Sequence, residues 1–267
     1  MSSLADIPKE SRCRQLIHDI NGCRVGCNHT VSWSKGRSYG WCGICHKKFR
    51  PKAHTRLFYG SKLSCRQIFM LIWHWQHRSS PGSVMNAMGL SYPTVRRWYK
   101  RFREHLPPDD DVKLAGVVEV DESYFGKRRY GHQTIVIGAI ERYLDPATNS
   151  RRLKLRIIPD TEQETLEEFV QDTIEPGSLV VTDCHAGYND LEFLGWPHET
   201  WNHSKFHLTG TNHIEQTWSV LKRYIRKLYG SIPTYNLQQI LDETVARHNQ
   251  PELFLSPESY LREVIPD

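Results

Sequence analysis

The sequence predicts an α/β chain in two parts: a basic front of paired cysteines and helices, and an acidic back organised on a mixed five-stranded sheet with helices. Three observations carry that expectation. From Ser11 to Leu106 there are 18 lysines and arginines against two acids, Asp19 and Glu104, although the whole chain is only +5. Four cysteines fall in two close pairs, "CRVGC" and "CGIC". Near residue 107 the apolar periodicity changes from helical spacing to short β-branched runs.

At 267 residues, with 39% hydrophobic and 24% charged residues, the composition is that of an ordinary globular protein. No apolar run approaches the ~18 residues of a membrane helix. The opening "MSSLADIPKE" lacks the basic start and apolar core of a secretory signal. The expected location is therefore inside a cell, cytoplasmic and nucleoid-associated, or nuclear in a eukaryotic host. In a reducing compartment, seven cysteines read as thiols or metal ligands rather than disulfides. The charge split predicts a polyanion-binding front joined to a back that holds cations.

Cys23, Cys27, Cys42 and Cys45 have the spacing of a zinc ribbon, where four thiolates take one tetrahedral Zn²⁺ and support a segment too small for its own core. The first knuckle is one residue longer than the second. Cys13, His29, His46, His54 and Cys65 stand as substitute ligands. The ribbon is expected over residues 1–60. Residues 61–106 read as helices: "CRQIFMLIWHWQHR", then "SPGSVMNAMGLSYPTVRRWYKRFREHL" with a turn at Gly89, a helix-turn-helix shape. Its second helix carries Arg96, Arg97, Lys100, Arg101 and Arg103 around Val95, Trp98 and Phe102, and these cations are expected to face DNA phosphates and base edges. "PPDDD" marks a linker over 107–115.

Behind it, "GVVEVDE", "TIVIGAIE", "RLKLRIIPD", "SLVVTD" and the short "HETWNH" read as strands. "TEQETLEEFVQDTI" reads as a helix capped by Thr161, and "AGYNDLEFLG" as a second helical piece. Asp121 and Asp183 end two of the strands. If those strands are neighbours, two carboxylates meet at one sheet edge and need a cation between them. Hard ions with oxygen ligands, Mg²⁺ or Mn²⁺, suit them. Two such ions about 3.5–4 Å apart can clamp both oxygens of a phosphodiester exchange. Glu119 shares the Asp121 face and is a reserve ligand; Glu122 points away.

In "GTNHIEQTWSVLKR" the residues Ile214, Trp218, Leu221 and Ile225 form a buried helical stripe. Glu215 and Lys222, nearly two turns apart, share the neighbouring face. Asn212 reads either as a helix cap, with Glu215 completing a capping box, or as a site residue.

"VVEVDESYFGKRR", "TDCHAGYNDL", "NHSKF" and "GTNHIEQTWSVLKR", in that order, resemble the DDE transposases of bacterial insertion sequences, in the branch with an N-terminal zinc ribbon that is related to eukaryotic Merlin transposons. The resemblance covers nearly the whole chain. It implies an RNase H-like catalytic domain over 116–267 and a polynucleotidyl transferase acting on double-stranded DNA, both terminal inverted repeats and target. It implies catalytic and metal-binding roles for Asp121 and Asp183, with Glu215 or Asn212 third, since that position in the family is Glu, Asn or His. On that reading water and then a 3′-OH attack phosphodiesters with two Mg²⁺ or Mn²⁺ per site. Lys222, Arg223, Lys127, Arg128 and Arg129 hold the DNA backbone, and the protein works as a homodimer or larger assembly on DNA without a membrane. A nuclease of the same fold would keep the acids and need no sequence-specific front; a DNA-binding regulator would tolerate broken acids.

The cysteine spacing makes one prediction. Protein purified without added zinc or chelator should contain about one Zn²⁺ per chain by elemental analysis, and Cys42→Ser should lose it. Unchanged zinc in that variant, or none in the wild type, contradicts the ribbon.

Overall fold

The change of periodicity at residue 107 is also where the chain divides. One unit comprises Met1–Pro107 with Glu252–Asp267, the other Pro108–Pro251. The structure, a computed structural model, describes residues 3–21, 31–33, 39–52, 55–126, 133–145, 150–201, 212–230 and 236–265.

In the first unit α1 (Glu10–Asn21) precedes an antiparallel sheet of β1 (Val31–Trp33), β2 (Gly40–Cys42) and β3 (Lys48–Phe49). Sequence spacing did not announce α1, yet it buries Cys13, Leu16 and Ile17. Burial pushes the thiols of Cys13 and of Cys65, the first residue of α2 (Cys65–Gln76), up to about 12. Both thiols lie in the core. Cys42 closes β2, and the Cys45 amide donates to its Sγ at 3.5 Å. Cys23, Cys27, His29 and His54 lie outside the described residues.

Ser64 and Gln67 cap α2 reciprocally, at 3.1 and 2.9 Å. Ser80 caps α3 (Pro81–Met88), which Gly89 ends at φ 64°, a conformation that costs glycine little. Ser91 caps α4 (Tyr92–Glu104). Trp75 of α2 meets Phe102 of α4 and Tyr260 of α8 (Pro257–Val264) with ring centroids 5.5 and 5.2 Å apart. Tyr260 donates to the Phe102 carbonyl at 2.9 Å. These aromatic contacts are why the C-terminal residues join the front unit, although the sequence pattern runs the sheet domain to residue 267.

The basic face of α4 is narrower than its sequence implies. Arg96, Arg97 and Lys100 are exposed. Arg101 instead donates to the carbonyls of Leu57 and Tyr59 at 3.2 and 3.0 Å, and Arg103 is buried.

The second unit is a five-stranded mixed sheet, the form of an RNase H-like domain. Its strands are β4 (Val117–Phe125), β5 (Thr134–Glu141), β6 (Leu153–Ile158), β7 (Leu179–Thr182) and β8 (His198–Thr200), in the order β6-β5-β4-β7-β8. The first three pair antiparallel, and β4–β7 and β7–β8 pair parallel. Strand alternation sorts β4 into two faces. Val118 and Val120 join Ile137, Ala139, Leu166, Phe169 and Tyr188 in one core, which includes α5 (Gln163–Thr173). Glu119 and Asp121 face the other way, toward α6 (Asn212–Tyr229). The helix α7 (Leu237–Asn249) follows.

Local chemistry corrects three expectations. Residues 108–115 are tied to the sheet unit rather than spanning as a linker: Asp109 accepts from Lys154 at 2.6 Å and from Asn249 at 2.8 Å, and Leu114 is fully buried. The Glu162 amide and the Thr165 hydroxyl at the start of α5 go to Asp160, at 3.1 and 2.7 Å, while the cap position is Glu162 and not Thr161. "AGYNDLEFLG" makes only a 3-10 turn, Ala186–Tyr188, followed by further turns to Gly195 at φ 100°.

Candidate active site

β4 and β7 run parallel with Val117 opposite Leu179 and Glu119 opposite Val181. Asp121 and Asp183 each lie two residues beyond that last pair, so the register sets them abreast: Asp183 just past the end of β7, and Asp121 in the middle of β4, which runs on to Phe125 rather than ending at the acid as its sequence suggested. Each is only partly exposed. Asp121 is pushed up to about 7, first by burial, then by the neighbouring charges of Glu122 and Asp183; a hydrogen bond from Trp218 works against this. Asp183 Oδ1 accepts from the His185 amide at 3.0 Å, which turns the chain away from β7.

The helix that covers this face is fixed by one fully buried carboxylate. Glu119 accepts from the amides of His213 and Ile214 at 2.8 and 3.2 Å, from the His213 Nδ1 position at 2.7 Å and from Arg142 at 3.2 Å. Helix starts leave several amides without intrahelical partners and carry a positive end. A carboxylate on β4 satisfies both needs. Glu119, a reserve ligand on sequence grounds, is thus spent on holding α6 through the two amides just inside its start.

Further along α6, Trp218 Nε1 donates to Asp121 Oδ2 at 2.9 Å. The indole lies over Gly138, which β5 places opposite Asp121; a Cβ there would come within 2.7 Å of the Trp218 ring and 2.8 Å of Leu155. Glu215 and Lys222 precede and follow Trp218 by three and four residues, so they flank it on the helix surface. The Lys222 ammonium sits 5.5 Å from the centre of the Phe125 ring, itself edge-on to Trp218 at 6.1 Å. Arg223 is exposed. The buried stripe of α6 is Ile214, Thr217, Trp218, Leu221, Tyr224 and Leu228, while Ile225 is only half-buried. Lys127, Arg128 and Arg129 lie outside the described residues.

Residues 113–249 match the family described as the ISXO2-like transposase domain, a span of just over half the chain that falls within the sheet unit. The chain belongs to the ISXO2-like transposase family. An uncharacterized transposase-like protein of Haemophilus influenzae is 28% identical over 100 residues, 36% of this chain and 80% of that protein. A chain in the cryoEM structure of a simian T-cell lymphotropic virus intasome in complex with PP2A regulatory subunit B56 gamma overlays with a TM-score of 0.32 at 13% identity, across 67% of this chain and 66% of that one. An overlap that loose carries no weight.

Two features of this ISXO2-like domain were not visible in its sequence. Glu122 does point away from Asp121, yet it is not idle: it accepts from the Tyr188 hydroxyl, and burial with the nearby Asp183 charge pushes it up. Trp218 read as core, although a buried indole N–H calls for an acceptor. Among the described residues no three His, Cys, Asp or Glu side chains form a ready-made metal group. Asp121 and Asp183 nevertheless fit a hard divalent ion, since both offer oxygen and the Asp183 charge makes ionisation of Asp121 harder.

That strain has a thermodynamic consequence. Asp121 is held at about 7 in the fold against 3.8 for an ordinary aspartate, so the fold binds its proton more tightly than the unfolded chain. Its contribution is fully present below about 4 and is lost as pH rises through about 7. In chelator at pH 8, Asp121→Asn should therefore melt at a higher temperature than the wild type, and the gap should close at pH 4. Equal melting at both pH values contradicts the burial of this charge.

Proposed function

We propose that this transposase cuts DNA at the ends of its element and joins the freed 3′-OH to target DNA, with Asp121 and Asp183 as the central acids. The observation that carries the reading is their placement abreast by the parallel β4–β7 register within a transposase-family domain. Glu215 is the third ligand, and Asn212 the alternative. Bound there, Mg²⁺ or Mn²⁺ ions would activate a water and offset charge on the attacking and leaving oxygens.

The chain's own residues do the rest. Trp218 holds Oδ2 of Asp121 and so fixes the orientation of that carboxylate. The His185 amide does the same for Asp183. Glu119 sets the start of the helix that carries Glu215 and Lys222. Lys222 offers a cation to a DNA phosphate, because its ring contact with Phe125 leaves the N–H groups available. In the front unit, α3 and α4 act as the helix-turn-helix that reads the terminal repeats through Arg96, Arg97 and Lys100, and Zn²⁺ held by Cys23, Cys27, Cys42 and Cys45 supports the small sheet. Joining two ends to one target calls for at least a dimer on DNA.

The test is cleavage of duplexes carrying the terminal repeats in Mg²⁺. Asp121→Asn and Asp183→Asn should each abolish cleavage while binding stays within a few-fold of wild type. Glu215→Gln should lose at least ~100-fold in cleavage, the scale of a lost transition-state contact, and Asn212→Ala should lose less than ~10-fold. Normal cleavage by either aspartate variant removes that residue from the site; a dead, folded Asn212→Ala beside an active Glu215→Gln reverses the third assignment.

A further inference from the structure

We propose that a second DNA contact, separate from α4, lies in the front unit: a basic cavity that grips a backbone phosphate of duplex DNA through Arg50, Lys52 and Lys62. The cavity has a volume of about 550 Å³ and opens where α1, the turn after β3 and the approach to α2 meet. Four cations line it, Arg14, Arg50, Lys52 and Lys62, against one carboxylate, Glu10.

The carboxylate is already committed. Glu10 accepts from Arg14 at 2.7 Å and from the amides of Cys65 and Arg66 at 3.2 and 2.7 Å. Burial alone would push it up, but the Arg66 amide, Arg14 and the Cys65 amide outweigh burial and hold it below the usual range. It thus neutralises Arg14 and the positive end of α2, and that helix end contributes nothing further.

Lys52 is different. Its ammonium donates to the carbonyls of Ser61 and Leu63 at 2.9 and 2.7 Å. Neutral acceptors fix its position without cancelling its charge, and an ammonium has three N–H groups. Arg50 and Lys62 are exposed beside it and make no ion pair among the described residues. The result is a concave site holding three uncompensated positive charges, one of them immobilised in advance. Fixed and convergent cations favour a phosphate over an apolar ligand. Duplex DNA is the polyanion that a transposase-family chain meets, so the inference rests on the DNA-acting function proposed above. Such a contact fixes register on the duplex without reading sequence.

The experiment is equilibrium binding of the full chain to two duplexes of unrelated sequence across a salt series. Arg50→Gln with Lys62→Gln, both exposed, should lower the slope of log affinity against log salt by about 1, the loss of one phosphate contact at about 0.9, equally for both duplexes. Lys52→Met should lower it toward the same limit. A matched loss of two charges elsewhere, Lys113→Gln with Arg262→Gln, should leave the slope near wild type. A wild-type slope in the Arg50/Lys62 variant, or the same loss in the control, overturns the cavity and leaves the transposase reading standing. Wild-type protein with no salt-dependent DNA binding overturns both.

Discussion

Parallel pairing of β4 with β7 is the constraint on which the candidate site depends. Its last pair, Glu119 with Val181, leaves Asp121 beside Asp183 two residues further on, before any side chain is considered. Two adjacent, partly buried carboxylates oppose folding, and the fold accepts that opposition because the strands beneath are packed on Val118, Val120, Ile137 and Val180. The site is thus a place where local electrostatics is unfavourable and is carried by the surrounding core, the pattern expected where chemistry is done.

Two other carboxylates of β4 show how position decides role. Glu119, Asp121 and Glu122 lie within four residues. Glu119 is fully buried and answered on all sides by two helix amides, a histidine and an arginine, so it acts as an anchor. Asp121 has the Trp218 indole and the Glu122 amide as donors against burial and two acidic neighbours, so its charge is left incompletely answered. Glu122 crosses to the other face and pairs with Tyr188. The same residue type is structural or reactive according to the donors its strand position brings.

Much of this was legible in the sequence. β-branched runs announced both strands, although β4 runs on past Asp121 to Phe125, and the ordered motifs announced the family. The alternation rule placed Glu119 with Asp121. What stayed hidden depended on contacts between distant segments. Nothing local says that Glu119 will receive the amides of His213 and Ile214, 94 and 95 positions away in the chain, or that Gly138 leaves room for Trp218. Arg101 and Arg103 looked like DNA contacts because helical spacing gives a face but not its neighbours; the carbonyls of Leu57 and Tyr59 claimed Arg101. "AGYNDLEFLG" looked helical from composition, and turns won there, with Tyr188 drawn into the core and Gly195 at positive φ.

The central claim is that Asp121 and Asp183 together form a divalent-cation site. Replacing Mg²⁺ by Fe²⁺ in the presence of ascorbate and peroxide generates radicals at the bound ion, which cut the polypeptide nearby. The account predicts cuts in the middle of β4 and just past β7, near residues 121 and 183, suppressed by excess Mg²⁺ and absent in Asp183→Asn. Cuts confined to other segments, or cuts at these two that Mg²⁺ does not suppress, would contradict it.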